Sequence, residues 1–560
     1  MGTDKIKYII FLLLVITVSL SAQSEYVPYS HPVYDFLERM DVLRIIAGYN
    51  SFERPQTRKQ TADYIKQVLE KKEELNSVDR GILDDLISEF EYELYGTLSK
   101  STSLIGGDDY NFFSPKEKFL YRMADSSRFT VFANLLGDIE SAGINNIPEK
   151  STASCAFMRW GGMIRGTMLN KIGFYMKGTN GKFFGDRSAA GQINELKFNY
   201  KFNADAKKLT ATDYFDNTEG YLSADFDIVR FKIGRDQMQI GYGNYKTFLD
   251  INTPQFDYLS FSINYKALSF SWFHGKLLGS ETTMFDPVQG EINMVASKYL
   301  GYHRIGINIS DDFGFGVGEM IIYSNRPVDF SYLNPFNFYK GTEHANQDRD
   351  NSMLFLDLRN STLKGLKLTA SVLIDDIDFG KIGKGWYGNQ LLYDINMHSV
   401  SFYNELPIDI KLQYVRIEPY VYTHRIYDNS FSNLNYSLAA PLQPNSSVLN
   451  ASFTYRPQFR LALNAELTYI LHGANELNAD GTLKRNTGGD SRIGYRVGDN
   501  PYVHFLDGTK EIRRAVSFSA QYEPVRNYFI SGKFTYEWNN PAFSQSNSSL
   551  AGFVLLNLRI

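Results

Sequence analysis

From about Arg128 to Ile560, apolar and polar residues alternate with a period of two, the spacing of strands whose two faces meet different environments. In Leu259-Ser260-Phe261-Ser262-Ile263-Asn264-Tyr265 every odd position is apolar and every even one polar. Lys266-Ala267 turns the chain, and Leu268-Ser269-Phe270-Ser271-Trp272 repeats the pattern. The runs Leu449 to Tyr455, Phe459 to Tyr469, Val516 to Tyr522 and Tyr528 to Trp538 behave alike. Strands of about ten residues suit a tilted membrane crossing better than the five or six usual in soluble sheets. Short turns at Lys266-Ala267, Ser310 to Asp312, Arg456 to Gln458 and Glu523 to Asn527 alternate with long loops at 277–297, 324–352, 425–446, 472–511 and 539–548. Backbone groups in lipid need internal partners, so such a sheet must close. The pattern predicts about twenty antiparallel strands, least regular between residues 190 and 215, with short turns on one side and long loops on the other.

Before the alternation, Val33, Phe36, Leu37, Met40 and Leu43 form one stripe at helical spacing. Thr57-Arg58-Lys59-Gln60 has the form of a capping box opening a second helix with Ile65, Val68 and Leu69,. Ile82, Leu83, Leu86, Ile87, Phe90 and Leu94 make a third stripe. Three short helices with polar outer faces predict a small soluble bundle. At the start, Lys5 and Lys7 precede an apolar run of 13 residues, Tyr8 to Leu20, and Ser19-Leu20-Ser21-Ala22 offers a small-residue cleavage site before Gln23. This reads as a secretory signal. The expected organisation is a signal peptide over 1–22, a periplasmic helical bundle and linker over 23–127, and an outer-membrane barrel over 128–560. The fold class is an all-β transmembrane barrel of about 18–20 antiparallel strands with a small N-terminal helical bundle under or beside its periplasmic mouth.

Composition narrows the function. The 560 residues carry a net charge of -4, which argues against nucleic acid as a partner. The one cysteine, Cys155, excludes an internal disulfide framework,. The 41 Phe and 38 Tyr residues suit side chains that meet both an apolar phase and water. Candidate chemistry is sparse. Asp375-Asp376 could share a proton, but neighbouring strand residues face opposite ways. The histidines, including His274, His303, His344, His398, His424 and His472, form no metal-binding pattern,; rim or lumen positions are expected for them. No Gly-x-Ser-x-Gly elbow is present,, and the residues give no sign of an enzyme. In Phe313-Gly314-Phe315-Gly316-Val317-Gly318 the glycines share one face, where they would relieve crowding inside a barrel. The Asn325 to Asn351 loop combines Tyr332, Phe336, Phe338 and Tyr339 with Glu343, Asn346, Gln347, Asp348 and Asp350. That composition fits a glycan site and fits equally a loop that folds in and narrows the pore. Loop acids leave a bridging calcium ion possible but unspecified.

Phe231-Lys232-Ile233-Gly234-Arg235-Asp236, Gly241-Tyr242-Gly243 and Asn252 to Tyr258 are followed in order by Tyr332-Leu333-Asn334-Pro335, Asp350-Asn351, Leu373-Ile374-Asp375-Asp376, Tyr414 to Tyr422 and His472-Gly473-Ala474-Asn475. Through these segments the chain resembles the capsule assembly Wzi family of outer-membrane proteins. The resemblance implies a barrel of about eighteen strands, no cofactor, and a lectin-like role that anchors exported capsular or other surface polysaccharide. Other polysaccharide-export components would be partners, beside outer-membrane lipid. The motif positions Arg235, Asp236, Asn334, Asp350, Asp375, Arg416 and Glu418 are the expected glycan-binding or pore-shaping residues. A porin-like diffusion channel is the alternative.

Overall fold

The computed structural model describes residues 23–107, 110–125, 129–146, 151–190, 193–199, 213–400, 406–540 and 547–559. The signal segment and most of the stretch between 190 and 215 lie outside the described residues. Eighteen antiparallel strands form a closed barrel. They are β1 Phe129–Asn146, β2 Ser151–Met168, β3 Ile172–Gly185, β4 Tyr214–Phe226, β5 Val229–Asp236 and β6 Phe256–Tyr265. Next come β7 Leu268–Asp286, β8 Gly290–Ser310, β9 Phe313–Ser324, β10 Asn351–Leu363, β11 Leu366–Asp376 and β12 Gln390–Val400. The last six are β13 Ile408–Ile417, β14 Ser446–Gln458, β15 Leu461–Ala474, β16 Thr509–Val525, β17 Tyr528–Asn540 and β18 Asn547–Arg559. Pairing of β18 with β1, from Ser549↔Asn146 to Arg559↔Leu136, closes the ring. Residues 277–297 are mostly strand rather than loop: β7 and β8 pair from Leu268↔Ile307 up to Asp286↔Gly290.

The alternation separates the two faces. Leu259, Leu268, Ile305, Leu356, Leu467, Phe518 and Phe534 are exposed on the outside, as lipid-facing residues must be. The glycines of β9 face inward. A Cβ on Gly316 would lie 2.3 Å from Asp357 Oδ2 and 2.4 Å from Arg304 Nη2. The glycine thus makes room for the buried Arg304–Asp357 ion pair (2.7 Å).

The N-terminal segment forms helices α1 Val33–Val42, α2 Arg58–Glu70, α3 Ser77–Glu89 and α4 Glu91–Tyr95. The capping box is present: Gln60 N donates to Thr57 Oγ1 (3.2 Å) and Thr57 N to Gln60 Oε1 (3.3 Å). The third stripe breaks at Phe90 into two helices. Val33, Leu37, Met40, Ile65, Leu83 and Ile87 form the bundle's core. The bundle sits inside the short-turn end of the barrel, not beside its mouth, because its charged faces pair with inward wall residues. Asp41 binds Lys367 (2.8 Å), Glu38 binds Lys411 (3.1 Å), Glu89 binds Arg526 (3.0 Å), and Arg39 bridges Asp79 and Asp409.

Candidate functional site

Three insertions occupy the lumen. The bundle occupies the short-turn end. The connection from β5 to β6, residues 237–255, dips inward and pairs Gln239–Ile240 with Glu53–Arg54 of the bundle segment. Its Tyr242 donates to Asp357 (3.0 Å), and its Thr247 to Asp394 (3.1 Å). From the long-loop end, Val421, Tyr422, Phe431 and Leu438 pack down onto inward residues of β8 to β14. Phe52, Phe248, Tyr302, Met320, Phe355, Leu373 and Val415 complete an apolar core inside this half of the barrel.

The other half stays open. A cavity of about 1470 Å³ lies between the bundle and the walls β1–β5 and β14–β18. Its lining is mixed: Asp138 with Arg159 (3.3 Å), Lys177 with Glu219 (3.3 Å), Asn464, Asn557, Tyr175 and Phe529. Lys232 stands against it, with its ammonium 4.2 Å from the Tyr26 ring and 4.3 Å from that of Tyr221. Above β1–β4, Ala189, Ile193 and Leu196 cap the inward rings Phe157, Phe183 and Phe215.

The seven residues singled out in the sequence do not converge on one point. Arg235 is exposed on the outer face and pairs with Asp257 (2.8 Å). Asp236, its neighbour, points inward, where it pairs with Lys232 and accepts from the Tyr258 hydroxyl. Asn334 is exposed at the end of a short helix, α5 Phe330–Leu333, and accepts from Phe336 N (3.2 Å). Asp350 is buried in a bidentate pair with Arg326 (2.7 and 2.6 Å) and accepts from Tyr332 (2.7 Å). Asp375 is buried and accepts from Tyr422 N (2.7 Å), while Asp376 is exposed on the opposite face. Only Arg416 and Glu418 meet each other directly (2.6 Å), with Arg416 also lying 4.0 Å over the Phe505 ring.

The 325–351 segment does not enter the lumen or narrow it. It folds over the outer wall. Ile321, Tyr323 and Tyr299 on outward faces pack with its Tyr332 and Tyr339. Glu319, also outward, accepts from Tyr339 N (2.8 Å) and Lys340 N (3.2 Å) at the start of α6 Tyr339–Ala345. His303 bonds Glu319 (3.0 Å) and His274 bonds Tyr323 (2.7 Å). These two histidines therefore lie under an external flap, not at the rim or in the lumen. Glu343, His344 and Asp348 on this flap come close enough to share an ion. Glu343 is already engaged by Ser352 and by Lys340 (3.1 Å).

The barrel and its inserted bundle can be set against known proteins. Wzi, an outer membrane protein involved in group 1 capsule assembly in Escherichia coli and described as a carbohydrate-binding β-barrel, superposes with a TM-score of 0.55. The match is 8% identical and covers 95% of this chain and 99% of that one. The fold is that of Wzi. OprD of Pseudomonas aeruginosa also matches, with a TM-score of 0.42, 9% identity, and coverage of 76% of this chain and 95% of that chain. OpdK of the same organism, solved with vanillate, gives 0.43, 10%, 76% and 99%. No protein-family model matches the chain, and no curated protein sequence does. The Wzi-like fold and the exposed apolar band make this an outer-membrane barrel.

Proposed function

We propose that this chain holds surface polysaccharide at the outer membrane and does not conduct solutes. One observation carries the reading: the lumen is crossed by the bundle, by residues 237–255 and by an apolar core over β8–β14. A diffusion channel needs a continuous aqueous path; a glycan holder needs polar and aromatic surface. The Wzi fold, seen in a carbohydrate-binding barrel, supports the same choice. The bundle lies on the periplasmic side, with the long loops outside. Arg235, Asn334, Arg416 and Glu418 reach solvent and offer contacts to sugar hydroxyls. Asp236, Asp350 and Asp375 hold the wall and loops in shape. Weak contacts repeated along a polymer give avidity. Capsular or another surface polysaccharide is the ligand class, and polysaccharide-export components deliver it. The test measures polysaccharide in cells and in the medium, with and without the gene. Unchanged synthesis with more polymer in the medium is the expected result. An unchanged partition, together with steady conductance in planar bilayers, would overturn the proposal in favour of a porin.

A further inference from the structure

The flap over the outer wall stands where neighbouring strands meet lipid. On β5 and β6 the outward residues Phe231, Ile233 and Leu259 are exposed. One strand further on, Leu259 pairs with His274 and Phe261 with Trp272. The second of these rows continues through His303 on β8 to Glu319 on β9. Outward residues thus change from apolar to polar within the apolar band. Hydrocarbon offers such groups no hydrogen bond, and the flap supplies partners. His303 bonds Pro335 O (3.1 Å) as well as Glu319 (3.0 Å), and Trp272 Nε1 donates to the Tyr339 hydroxyl (3.1 Å). Glu319 takes the Tyr339 and Lys340 amides.

Two observations say what the flap's own outer side meets. First, it carries exposed rings that are continuous with the lipid-facing wall. Phe330, Phe336 and Phe338 are 83%, 72% and 62% exposed. The Phe336 ring stacks on Phe270 (5.2 Å) and stands edge to face against Phe261 (6.3 Å), which stacks in turn on the exposed Phe231 (5.9 Å). Phe270 follows closely on the short turn Lys266-Ala267, so Phe336 reaches far down the wall. Second, the flap's backbone finds its partners without water. The amides of Ser331, Tyr332 and Leu333 donate to Asp329, that of Asn334 to Phe330, and those of Phe336 and Asn337 to Asn334. Irregular backbone persists at membrane depth only with such internal partners; in water, solvent would serve.

We propose that the flap is embedded in the membrane, with Phe330, Phe336 and Phe338 against the acyl chains of the leaflet on the long-loop side. Exposed rings joined to a lipid-facing band extend that band, whereas the same rings in water would be an unpaid apolar patch. The flap then does two things at once: it covers the polar row on β7 to β9, and it presents an apolar surface of its own in that row's place. The inference goes beyond the glycan-holding reading and is independent of it except at Asn334. That residue shares the exposed side of Phe336 and Phe338, so here it meets lipid instead of sugar, with its amide oxygen held by Phe336 N.

The test begins with the unaltered full chain in phosphatidylcholine nanodiscs that contain a lipid with a diazirine midway along one acyl chain. After irradiation, adducts are mapped by peptide mass spectrometry. Adducts on the flap peptide holding Phe330 to Phe338, beside those on wall residues such as Leu467 and Phe518, are expected. Adducts on the wall with none on the flap would overturn the proposal. A second measurement places a bimane fluorophore on Phe336→Cys, Phe518→Cys or Val497→Cys, each with Cys155→Ser, in discs whose lipid carries a mid-chain nitroxide. Phe518 is exposed on the lipid-facing wall and Val497 on a long loop. The label at Phe336 should lose fluorescence as the one at Phe518 does, while that at Val497 keeps it. Quenching at Phe336 no greater than at Val497 would overturn the proposal. Discs holding one chain are compared with discs holding two. Quenching at Phe336 that disappears only in two-chain discs, while Phe518 stays quenched, would overturn lipid as the occupant in favour of a second copy of this chain.

Discussion

Asp41 offers the sharpest measure of how firmly the bundle is docked. Its side chain reaches from α1 to three wall residues: Lys367 Nζ at 2.8 Å, Arg359 Nη1 at 3.5 Å and the Ser361 hydroxyl at 3.3 Å. The Asp41 and Lys367 side chains are each 1% exposed, and that of Arg359 is 4% exposed. Asp41→Ala strands two cations inside the barrel. Breaking a buried pair from one side costs about 3–5 kcal/mol, which is roughly two to three and a half powers of ten in the docking equilibrium. Lys367 keeps Ser51 Oγ (3.0 Å), so the lower half of that range is expected. The assay is amide hydrogen exchange of α1 in the full, detergent-solubilised chain, since local opening sets those rates. Asp41→Ala should speed exchange at Leu37 to Val42 by about a hundredfold or more. Adding Lys367→Met should recover at least about tenfold, because an apolar pair of similar volume is nearly neutral where half an ion pair is not. Lys66→Ala removes an exposed pair with Asp63 (3.6 Å) and should change nothing measurable. Exchange in Asp41→Ala that matches Lys66→Ala, or no recovery in the double variant, would refute the docking argument.

Acid should undock the bundle. Burial alone would raise the pKa of Glu38, but Lys411, Lys367, His398 and Arg54 outweigh it and hold the carboxyl well below its ordinary range. Burial is likewise outweighed at Glu89, where His31 and Arg526 hold the carboxyl low. Such groups stabilise docking above their unfolded pKa of about 4.3 and lose that effect as pH falls through the folded value. Bundle protection, corrected for intrinsic exchange, should be flat from about pH 7 to 5 and fall below about pH 4; a decline already complete at pH 5 would contradict this. Gly318→Ala places a Cβ 2.3 Å from His303 O and from Phe355 Cζ, so overpacking should cost about 1–3 kcal/mol. The heat-induced gel-mobility shift of the barrel should then come at lower temperature, unlike Gly552→Ala, which meets nothing within 4 Å. Glu319→Ala removes the acceptor for two flap amides at about 1–3 kcal/mol. Trypsin should then cut at Arg326, Lys340 or Arg349 while the barrel keeps its mobility; unchanged digestion would show that the flap does not depend on Glu319.

The barrel was legible because lipid imposes one strict rule, apolar outside at every second residue, and most strands obey it. The capping box at Thr57 was legible because it is local. What the alternation hid was how the strands are covered. Met320-Ile321-Ile322-Tyr323 breaks the period of two, as does Met353-Leu354-Phe355-Leu356. Continuous apolar runs mean that both faces are covered. Here the inner face meets the core around Phe52, and along β9 the outer face meets the flap. Those runs were the available signal for a filled lumen and an external flap. The bundle's charged faces looked solvent-facing for the same reason: sequence shows that Glu38 and Asp41 are polar, but not that Lys411 and Lys367 wait for them more than 320 residues along the chain.

The inward residues also divide the barrel in a way that bears on function. In the upper half of β8 to β14 they include Leu300, Tyr302, Met320, Ile322, Phe355, Leu373, Val415 and Val448. Such a wall expels water and must be packed, which the inserted loops accomplish. From β15 through β3 they include Asn464, Ser519, Gln521, Ser531, Lys533, Asp138, Arg159 and Lys177. Polar groups left facing an apolar filling would each cost a lost hydrogen bond. This second wall therefore needs water or a hydroxyl-rich ligand against it, and it surrounds the cavity that the insertions leave unfilled. A porin would want the polar wall to continue around the ring and through both ends. Here it stops at the packed core on one side and narrows against the docked bundle below, so the polar space is bounded by insertions on two sides, which fits the proposed holding of a polymer.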